Sequence, residues 1–212
     1  MLDTRQNGLY VRSMPRARSE RSVRERLLGA ADELFYREGI HVVGVDRILA
    51  TAGVAKASFY GTFEGKEDLV GAYLEGRAKW LAERIEDRIA RTSGGRERLI
   101  AIFDELVDRV ATGPDYLGCC FVRACAENVD GSKAARDAAT SYRRWQRQLL
   151  LRLAKECGAR DAVALSRQLC LVYDGATVAV AMDADRSAAA SARDVADALI
   201  ERSLAKPRRS AR

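Results

Sequence analysis

The stretch VDRILATAGVAKASFYGTFEGK, residues 45–66, decides the fold of this chain. Two short segments, 45–52 and 56–62, have the apolar spacing of helices, and Gly53-Val54 separates them. A short helix, a glycine turn and a second short helix are typical of a helix-turn-helix. The same spacing also fits any all-α protein in which a glycine joins two short helices, so the stretch by itself leaves both interpretations open.

The second segment combines one inward ring with small outward side chains. We expect Phe59 to pack into the protein. The residues expected to face outward are Lys56, Ala57, Tyr60 and Gly61. A helix with such a slim outer face can enter the DNA major groove, which is about 12 Å wide. The segment is therefore compatible with DNA binding, but its spacing alone does not choose between the two interpretations.

Composition limits the classes of protein that remain. The chain has 212 residues, of which 48% are hydrophobic and 31% are charged, as in a globular protein of one or two domains. No apolar run approaches the roughly 20 residues of a membrane span, and the N-terminal residues lack the apolar core of a signal peptide. We therefore expect a cytoplasmic protein without a membrane segment, whose five cysteines are reduced thiols.

The net charge of +6 is concentrated at the two ends. Residues 1–26 contain seven arginines and three acidic residues, and residues 206–212 contain four basic residues and no acidic one. A basic N-terminal arm beside a nearly neutral body suits a DNA-binding end, although solvated arginine-rich tails have the same composition.

Helical periodicity runs through the rest of the chain and predicts an all-α fold of about nine helices. Ser22 and Glu25 form a possible capping box before the first helix, and Gly39 is its expected end. The other predicted helices cover residues 45–52, 56–62, 66–90, 96–111, 119–129, 132–157, 161–182 and 187–205.

Residues 24–80 resemble the N-terminal domain of the TetR/AcrR transcriptional regulators. The matching elements, in order, are AADELF in the first helix, Gly39, Ile48-x-x-x-Ala52-Gly53-Val54, Ser58-Phe59-Tyr60-x-x-Phe63 and Lys66-x-x-Leu69. Many elements agree in both order and spacing, which makes the resemblance specific. It implies a helix-turn-helix that binds double-stranded DNA.

The resemblance also implies which residues contact DNA. Tyr60 would bind a phosphate through its hydroxyl, and Lys66 would bind another with help from the start of its helix. Arg16, Arg18 and Arg21 would form an arm that adds phosphate or minor-groove contacts. The residues in the recognition-helix positions are Lys56, Ala57, Ser58, Tyr60, Gly61 and Thr62.

Three positions depart from the family pattern. Gly44 and Val45 stand where the family often has a threonine that contacts the DNA backbone, and Gly65 replaces a commoner Ser or Asn cap. Because Ala57 and Gly61 offer no functional group, base readout is expected from Lys56, Ser58 and Thr62 and from groove shape. Gly44 and Val45, by their place at the start of the preceding helix, complete the set of expected DNA contacts.

The family resemblance divides the chain into four parts. We expect a basic arm over residues 1–18, a DNA-binding domain over 19–66, a helical effector-binding and dimerisation domain over 67–205 and a basic tail over 206–212. The last two helices would pair with those of a second copy, and the homodimer would bind a palindromic operator.

The second domain should hold a small-molecule effector, whose identity the sequence leaves open. Pocket candidates are Phe103, Val107, Tyr116, Cys120, Phe121, Trp145, Gln148, Tyr173, Asp174 and Thr177. Cys119, Cys120 and Cys125 offer an alternative, a thiol-based redox sensor that also binds DNA, but cysteines in such a helix are often plain buried apolar residues.

The sequence argues against an enzyme. It has one histidine and lacks a catalytic triad order, a phosphate-binding glycine loop and a metal-ligand spacing, so we expect no catalytic residue, metal or cofactor. The expected function is a ligand-responsive transcriptional regulator, most often a repressor in this family. Whether the protein represses or activates is left open.

Overall fold

The structure, a computed structural model, describes residues 21–112, 116–127 and 132–204. Within these ranges the chain forms nine α-helices and no strand, so the predicted all-α class is confirmed. Arg16, Arg18 and the predicted tail lie outside the described residues. The helices are α1 Val23–Glu38, α2 Val45–Ala52, α3 Lys56–Tyr60, α4 Lys66–Ala90, α5 Gly95–Thr112, α6 Cys120–Ala126, α7 Lys133–Glu156, α8 Ala162–Asp183 and α9 Ser187–Leu204.

Helix α1 begins at the predicted capping box. The Ser22 backbone N–H donates to Glu25 Oε2 at 2.7 Å, and the Glu25 backbone N–H donates to Ser22 Oγ at 3.2 Å. The helix ends before Gly39, whose φ of 103° lies in a region that side chains other than glycine's rarely adopt. Both ends therefore follow from local sequence.

Helices α3 and α6 are shorter than predicted. Helix α3 ends at Tyr60. The Gly61 N–H still makes the helical hydrogen bond to Ala57 O, but the Thr62 N–H donates to Phe59 O, only three residues back, which tightens the last turn. Helix α6 begins at Cys120 and ends at Ala126, and the last two residues of its predicted range, 128 and 129, lie outside the described residues.

The chain divides into two compact units. The first contains the described residues up to Ala82 together with the described part of Leu117–Tyr142, and the second contains Glu83–Tyr116 and the chain from Arg143 onward. The division of 19–66 from 67–205 concerns DNA binding rather than packing, and it stays a prediction.

The core of the first unit forms where α1 packs against α2 and α3. Leu27 and Ala31 of α1, Ile48 of α2 and Phe59 of α3 are fully buried. A buried ion pair joins Asp32 of α1 to Arg77 of α4. The rings of Tyr36 and Tyr73 flank the Arg77 guanidinium, at 4.2 and 5.8 Å from its central carbon.

The core of the second unit forms where α9 packs against α5 and α8. The buried face of α9 is almost all alanine, which allows the helices to approach closely. Buried side chains of α5 and α8 fill the remaining space, namely Leu99, Ile102, Phe103, Leu106, Leu165, Leu169 and Tyr173. None of the helices in the described ranges is long and apolar enough to cross a membrane.

Candidate nucleic-acid interface

The turn between α2 and α3 is fixed from both sides. Gly53 ends α2 in the left-handed conformation with φ of 63°, and Val54 is buried beneath the turn. On the other side, the Arg26 guanidinium of α1 donates to Ala52 O at 2.9 and 3.1 Å and also to Gly53 O. Sequence reasoning missed Arg26, whose charge and donors satisfy the carbonyls at the end of α2.

Helix α3 has the predicted orientation. Phe59 is fully buried and lies with its ring centroid 6.0 Å from that of Phe63, which is also buried. Lys56, Ala57 and Ser58 are exposed. Tyr60, at the end of the same helix, is 55% exposed. One buried ring therefore holds a short helix whose outer face is slim and polar.

The hydroxyl of Thr62 is already engaged. Thr62 Oγ1 donates to Ser58 O at 2.7 Å, so this hydroxyl can accept a hydrogen bond from DNA but has no second hydrogen to donate. Of the three residues predicted to read bases, Lys56 and Ser58 keep exposed polar ends.

Helix α2 begins without a side-chain cap. Gly44 is its N-cap residue and makes no capping hydrogen bond, and Val45 is half-buried. A Cβ atom at Gly44 would meet nothing within 4 Å. The absence of the family's threonine is thus a feature of this sequence and is not required by packing.

Lys66, the second predicted phosphate contact, already makes a contact within the protein. It is half-buried, and its Nζ donates to His41 O at 3.3 Å. Burial lowers the pKa of Lys66, and the nearby Glu127 carboxylate opposes this shift. Arg21, the one described residue of the predicted arm, is half-buried.

Glu127, at the end of α6, holds the loop that leads into α2. Its Oε2 accepts from the backbone N–H groups of Ile40 at 2.6 Å and His41 at 3.1 Å. Gly39 packs so closely that a Cβ there would lie 2.9 Å from both Glu127 carboxylate oxygens. Glu127 was not among the predicted site residues, and it lies 87 positions from Ile40 in sequence.

A second carboxylate links the start of α4 to the start of α7. Glu67 Oε1 accepts from the backbone N–H of Lys133 at 2.8 Å and from that of Ala134 at 3.3 Å. A cavity of about 290 Å³ lies beside these contacts in the first unit and is lined by Ile40, His41, Lys66, Glu67, Val70, Ala124, Glu127, Ser132 and Ala135. None of the ten predicted effector-pocket residues lines this cavity.

The ten pocket candidates belong to both units. Cys120 and Phe121 are in the first, where the Phe121 ring stacks on Tyr142 at 4.0 Å. The other eight are in the second, and those buried there are Phe103, Tyr116, Tyr173 and Thr177. Those that are half-buried are Val107, Trp145 and Asp174, whereas Gln148 is exposed.

Tyr116 and Tyr173, two of these buried residues, contact a charged pair that the sequence did not reveal. Arg109 Nη2 donates to Tyr173 Oη at 2.8 Å, and its guanidinium carbon lies 5.1 Å from the centre of the Tyr116 ring. Arg109 Nε also lies 3.3 Å from Oε2 of the buried Glu105. The Phe103 ring packs edge-on against Tyr173 at 5.9 Å.

Helix α8 exposes an apolar face. Val163, Leu171, Val178 and Met182 follow one another at helical intervals, and Leu171 and Met182 are 69% and 79% exposed. Gly175 lies on the same face, and a Cβ there would meet nothing within 4 Å. Metal-ligand clusters of three or more His, Cys, Asp or Glu side chains are absent among the described residues.

Two short helices are joined by a tight turn, and the second helix buries one ring and exposes a slim polar face. This is the arrangement found in helix-turn-helix DNA-binding proteins. A model of the family described as "Bacterial regulatory proteins, tetR family" matches residues 27–73. The crystal structure of SCO4454, a TetR-family transcriptional regulator from Streptomyces coelicolor, superposes with a TM-score of 0.81 at 30% identity, covering 86% of this chain and 96% of that one. This chain belongs to the TetR family and is a DNA-binding transcriptional regulator.

Two curated relatives agree with this assignment. The chain is 30% identical over 121 residues to the HTH-type transcriptional repressor NemR of Escherichia coli, covering 57% of this chain and 61% of NemR. It is 35% identical over 85 residues to the HTH-type transcriptional activator FasR of Mycolicibacterium smegmatis, covering 40% of this chain and 39% of FasR. The matches span less than two thirds of either relative. Both relatives are transcriptional regulators and not enzymes, in agreement with the expectation from the sequence.

Proposed function

We propose that this regulator is a repressor that binds a palindromic operator as a homodimer and leaves the DNA when a small molecule binds. The observation that carries the proposal is the outer face of α3, where Lys56, Ser58 and Tyr60 are exposed and Phe59 anchors the helix from within. Repression is favoured over activation because the match to NemR covers more of this chain than the match to FasR.

The proposed DNA contacts differ in strength. Tyr60 presents an exposed hydroxyl that can donate to a phosphate, a charge-assisted hydrogen bond. The Lys66 ammonium would have to keep or exchange its hydrogen bond to His41 O when it approaches a phosphate. We therefore assign Tyr60 the larger share of phosphate binding and Lys56 the larger share of base contact.

A gel-shift experiment tests the proposed surface. Duplex DNA is first selected by the wild-type protein from a random pool. The affinity for this duplex is then measured for the wild-type protein and for the Lys56→Ala/Tyr60→Phe double variant. We expect a loss of at least tenfold, and a salt dependence of the wild-type binding that reports phosphate contacts. Lys155→Ala, which removes an exposed cation of α7, is the control. An unchanged affinity in the double variant would contradict the proposal.

A second copy of the chain is the proposed partner of the exposed face of α8. Several large apolar side chains exposed on one helix face are a sign of an interaction site, because their exposure to water is unfavourable. Gly175 on this face would let another helix approach closely. Helix α9 adds an exposed Val195. A two-fold dimer would also match the symmetry of a palindromic operator.

The proposed effector site lies in the second unit, around Tyr173. The buried Arg109, Glu105 and Tyr173 supply polar groups among apolar rings, the combination that orients small molecules in protein pockets. An effector would release the operator only in so far as it binds the two states of the dimer with different affinity.

A ligand screen tests the effector proposal. Compounds that raise the unfolding temperature are tested for release of the selected duplex, and then again on Tyr173→Phe, which keeps the ring but removes the hydroxyl. We expect a stabilising compound to release the DNA and to bind Tyr173→Phe more weakly. A compound that stabilises the protein without changing its DNA affinity would not be an effector.

The thiol-based alternative rests on α6 and its N-cap. Cys119 and Cys120 are half-buried, Cys125 is exposed, and Cys120 lines a narrow crevice with Tyr36 and Arg123. Under this alternative, peroxide abolishes DNA binding, dithiothreitol restores it, and replacement of the three cysteines by serine removes the response. Release of DNA by peroxide from the triple variant would exclude these thiols.

A further inference from the structure

One pair of opposite charges lies on the proposed DNA-binding surface. Helices α2 and α3 carry three charged side chains, Asp46, Arg47 and Lys56. Arg47 pairs with Glu38 of α1, with its Nη2 2.8 Å from Glu38 Oε1. Lys56 Nζ, at the start of α3, lies 3.8 Å from Oδ1 of Asp46 in the first turn of α2.

The pair contributes little to folding. The side chains of Lys56 and Asp46 are 66% and 89% exposed, and exposed ion pairs of this kind add little to protein stability because water screens them. On a surface that approaches phosphates, the Asp46 carboxylate is unfavourable, because it repels the DNA backbone and offsets the charge of Lys56. A function in DNA recognition would account for a carboxylate at this place.

The two groups match the major-groove edge of a G·C base pair. Guanine presents the acceptors O6 and N7, to which a lysine ammonium donates, and its partner cytosine presents the N4 amino group, which donates to a carboxylate. An A·T pair also presents an amino group, adenine N6, between the acceptors adenine N7 and thymine O4, but only guanine presents two adjacent acceptors, O6 and N7, to a single ammonium. The bare neighbours Ala57 and Gly44 leave room for both side chains to reach a base edge.

We propose that Asp46 and Lys56 act together to read one G·C base pair in each half-site, and that Asp46 weakens binding to every other sequence. The inference rests on the proposed DNA-binding surface and adds a specificity-determining residue to it. On non-cognate DNA, Asp46 holds Lys56 back from the phosphates. On the cognate base pair, each of the two charges has its own partner.

The test compares the wild-type protein with Asp46→Ala, Lys56→Ala and the double variant. Each is used to select duplexes from a random pool, and each is then measured on the wild-type selected duplex and on a scrambled one. Wild type should enrich a G·C pair at one position of each half-site. Asp46→Ala should relax this position and lower the ratio of selected to scrambled affinity about tenfold, within the range of one base contact.

Salt dependence gives a second readout. In Asp46→Ala the released Lys56 can bind a phosphate, so the slope of log affinity against log salt on scrambled DNA should become steeper by about 0.9 for each subunit. Asp46→Asn, which removes the charge and keeps the size, should steepen it equally. The unfolding temperature should stay within about 2 °C of wild type, because the pair is exposed.

Two results overturn the inference. One is an unchanged base preference and affinity ratio in Asp46→Ala. The other is a double variant whose ratio falls by the product of the two single effects, since residues that read one base pair together lose that readout only once. The proposed surface itself fails under a different result, namely unchanged affinity in both Lys56→Ala and Tyr60→Phe. If binding weakens in these two variants but Asp46→Ala has no effect, the DNA-binding surface stands and only the joint readout by Asp46 and Lys56 is overturned.

Discussion

Two exposed surfaces of this protein differ in the side chains that they present. The outer face of α3 carries small or polar groups beside Tyr60, and its large apolar ring, Phe59, is fully buried. The outer face of α8 has the opposite composition, with Leu171 and Met182 among the most exposed apolar side chains of the described residues. Water solvates the first face well and the second poorly. The difference supports a hydrated, charged partner for α3 and an apolar partner, a second copy, for α8.

The largest expected effect comes from placing a charge on the apolar face. Leu171→Glu should convert the proposed dimer to a monomer and lower operator affinity more than 100-fold, because a buried unpaired carboxylate is strongly unfavourable in an interface and a monomer binds one half-site. Sedimentation velocity and gel shift measure the two consequences. Thr140→Glu, an exposed change on α7, is the control. A dimeric Leu171→Glu protein would show that α8 is not the interface.

The position of α3 should depend on Arg26, which binds the carbonyl groups at the turn before this helix. Arg26→Ala removes the donors to Ala52 O and Gly53 O, and we expect it to lower the free energy of unfolding by about 2 kcal/mol. Denaturant unfolding measures this change, and DNA affinity should fall as the turn loosens. Arg26→Lys keeps the charge but loses the fork geometry, so it should recover part of the stability. Full stability in Arg26→Ala would mean that Gly53 and Val54 fix the turn unaided.

A smaller effect is expected at the exposed hydroxyl. Tyr60→Phe removes one donor from the polar face and leaves its shape unchanged, so operator affinity should fall about tenfold, the size of one hydrogen bond to a charged group. The unfolding temperature should not change, because the ring is exposed. Gel shift at two salt concentrations measures the loss. Equal affinity for wild type and Tyr60→Phe would remove Tyr60 from the phosphate contacts.

The smallest expected effect concerns the missing cap of α2. Gly44→Ser has room for its side chain and normal backbone angles, and it should raise the free energy of unfolding by about 0.5 kcal/mol through capping and reduced chain entropy. Thermal unfolding measures the gain. Gly158→Ser is the contrasting variant, since space is open there as well but φ is +77°. It should destabilise the protein, and an equal gain at both sites would contradict the capping explanation.

The sequence predicted the helices well because their signals are local. Ser22 and Glu25 are three residues apart, Gly53 directly follows α2, and the apolar stripes repeat every three or four residues. Helix α2 has the predicted bounds, and α4 does as well. The outward and inward residues of α3 also followed from spacing within a single turn or two.

The side-chain contacts between distant parts of the chain could not be predicted from local spacing. Arg26 binds carbonyls 26 and 27 positions away, Glu127 binds backbone amides 86 and 87 positions away, and Arg109 binds Tyr173 at a separation of 64. A charged residue on a predicted helix has many candidate partners, and periodicity identifies the buried face without choosing among them. The helix packing of each unit makes that choice.

The sequence alone determined the helices, the slim outer face of α3 and the family resemblance, because each depends on residue types at short, regular spacing. Only the tertiary structure decided that Asp46 lies beside Lys56, that Arg26 caps α2 and that Glu127 holds the loop before α2. The physical reason is the range of the interactions. Backbone hydrogen bonds and caps act within one helical turn, whereas charged side chains find partners wherever packing brings distant segments within a few ångströms.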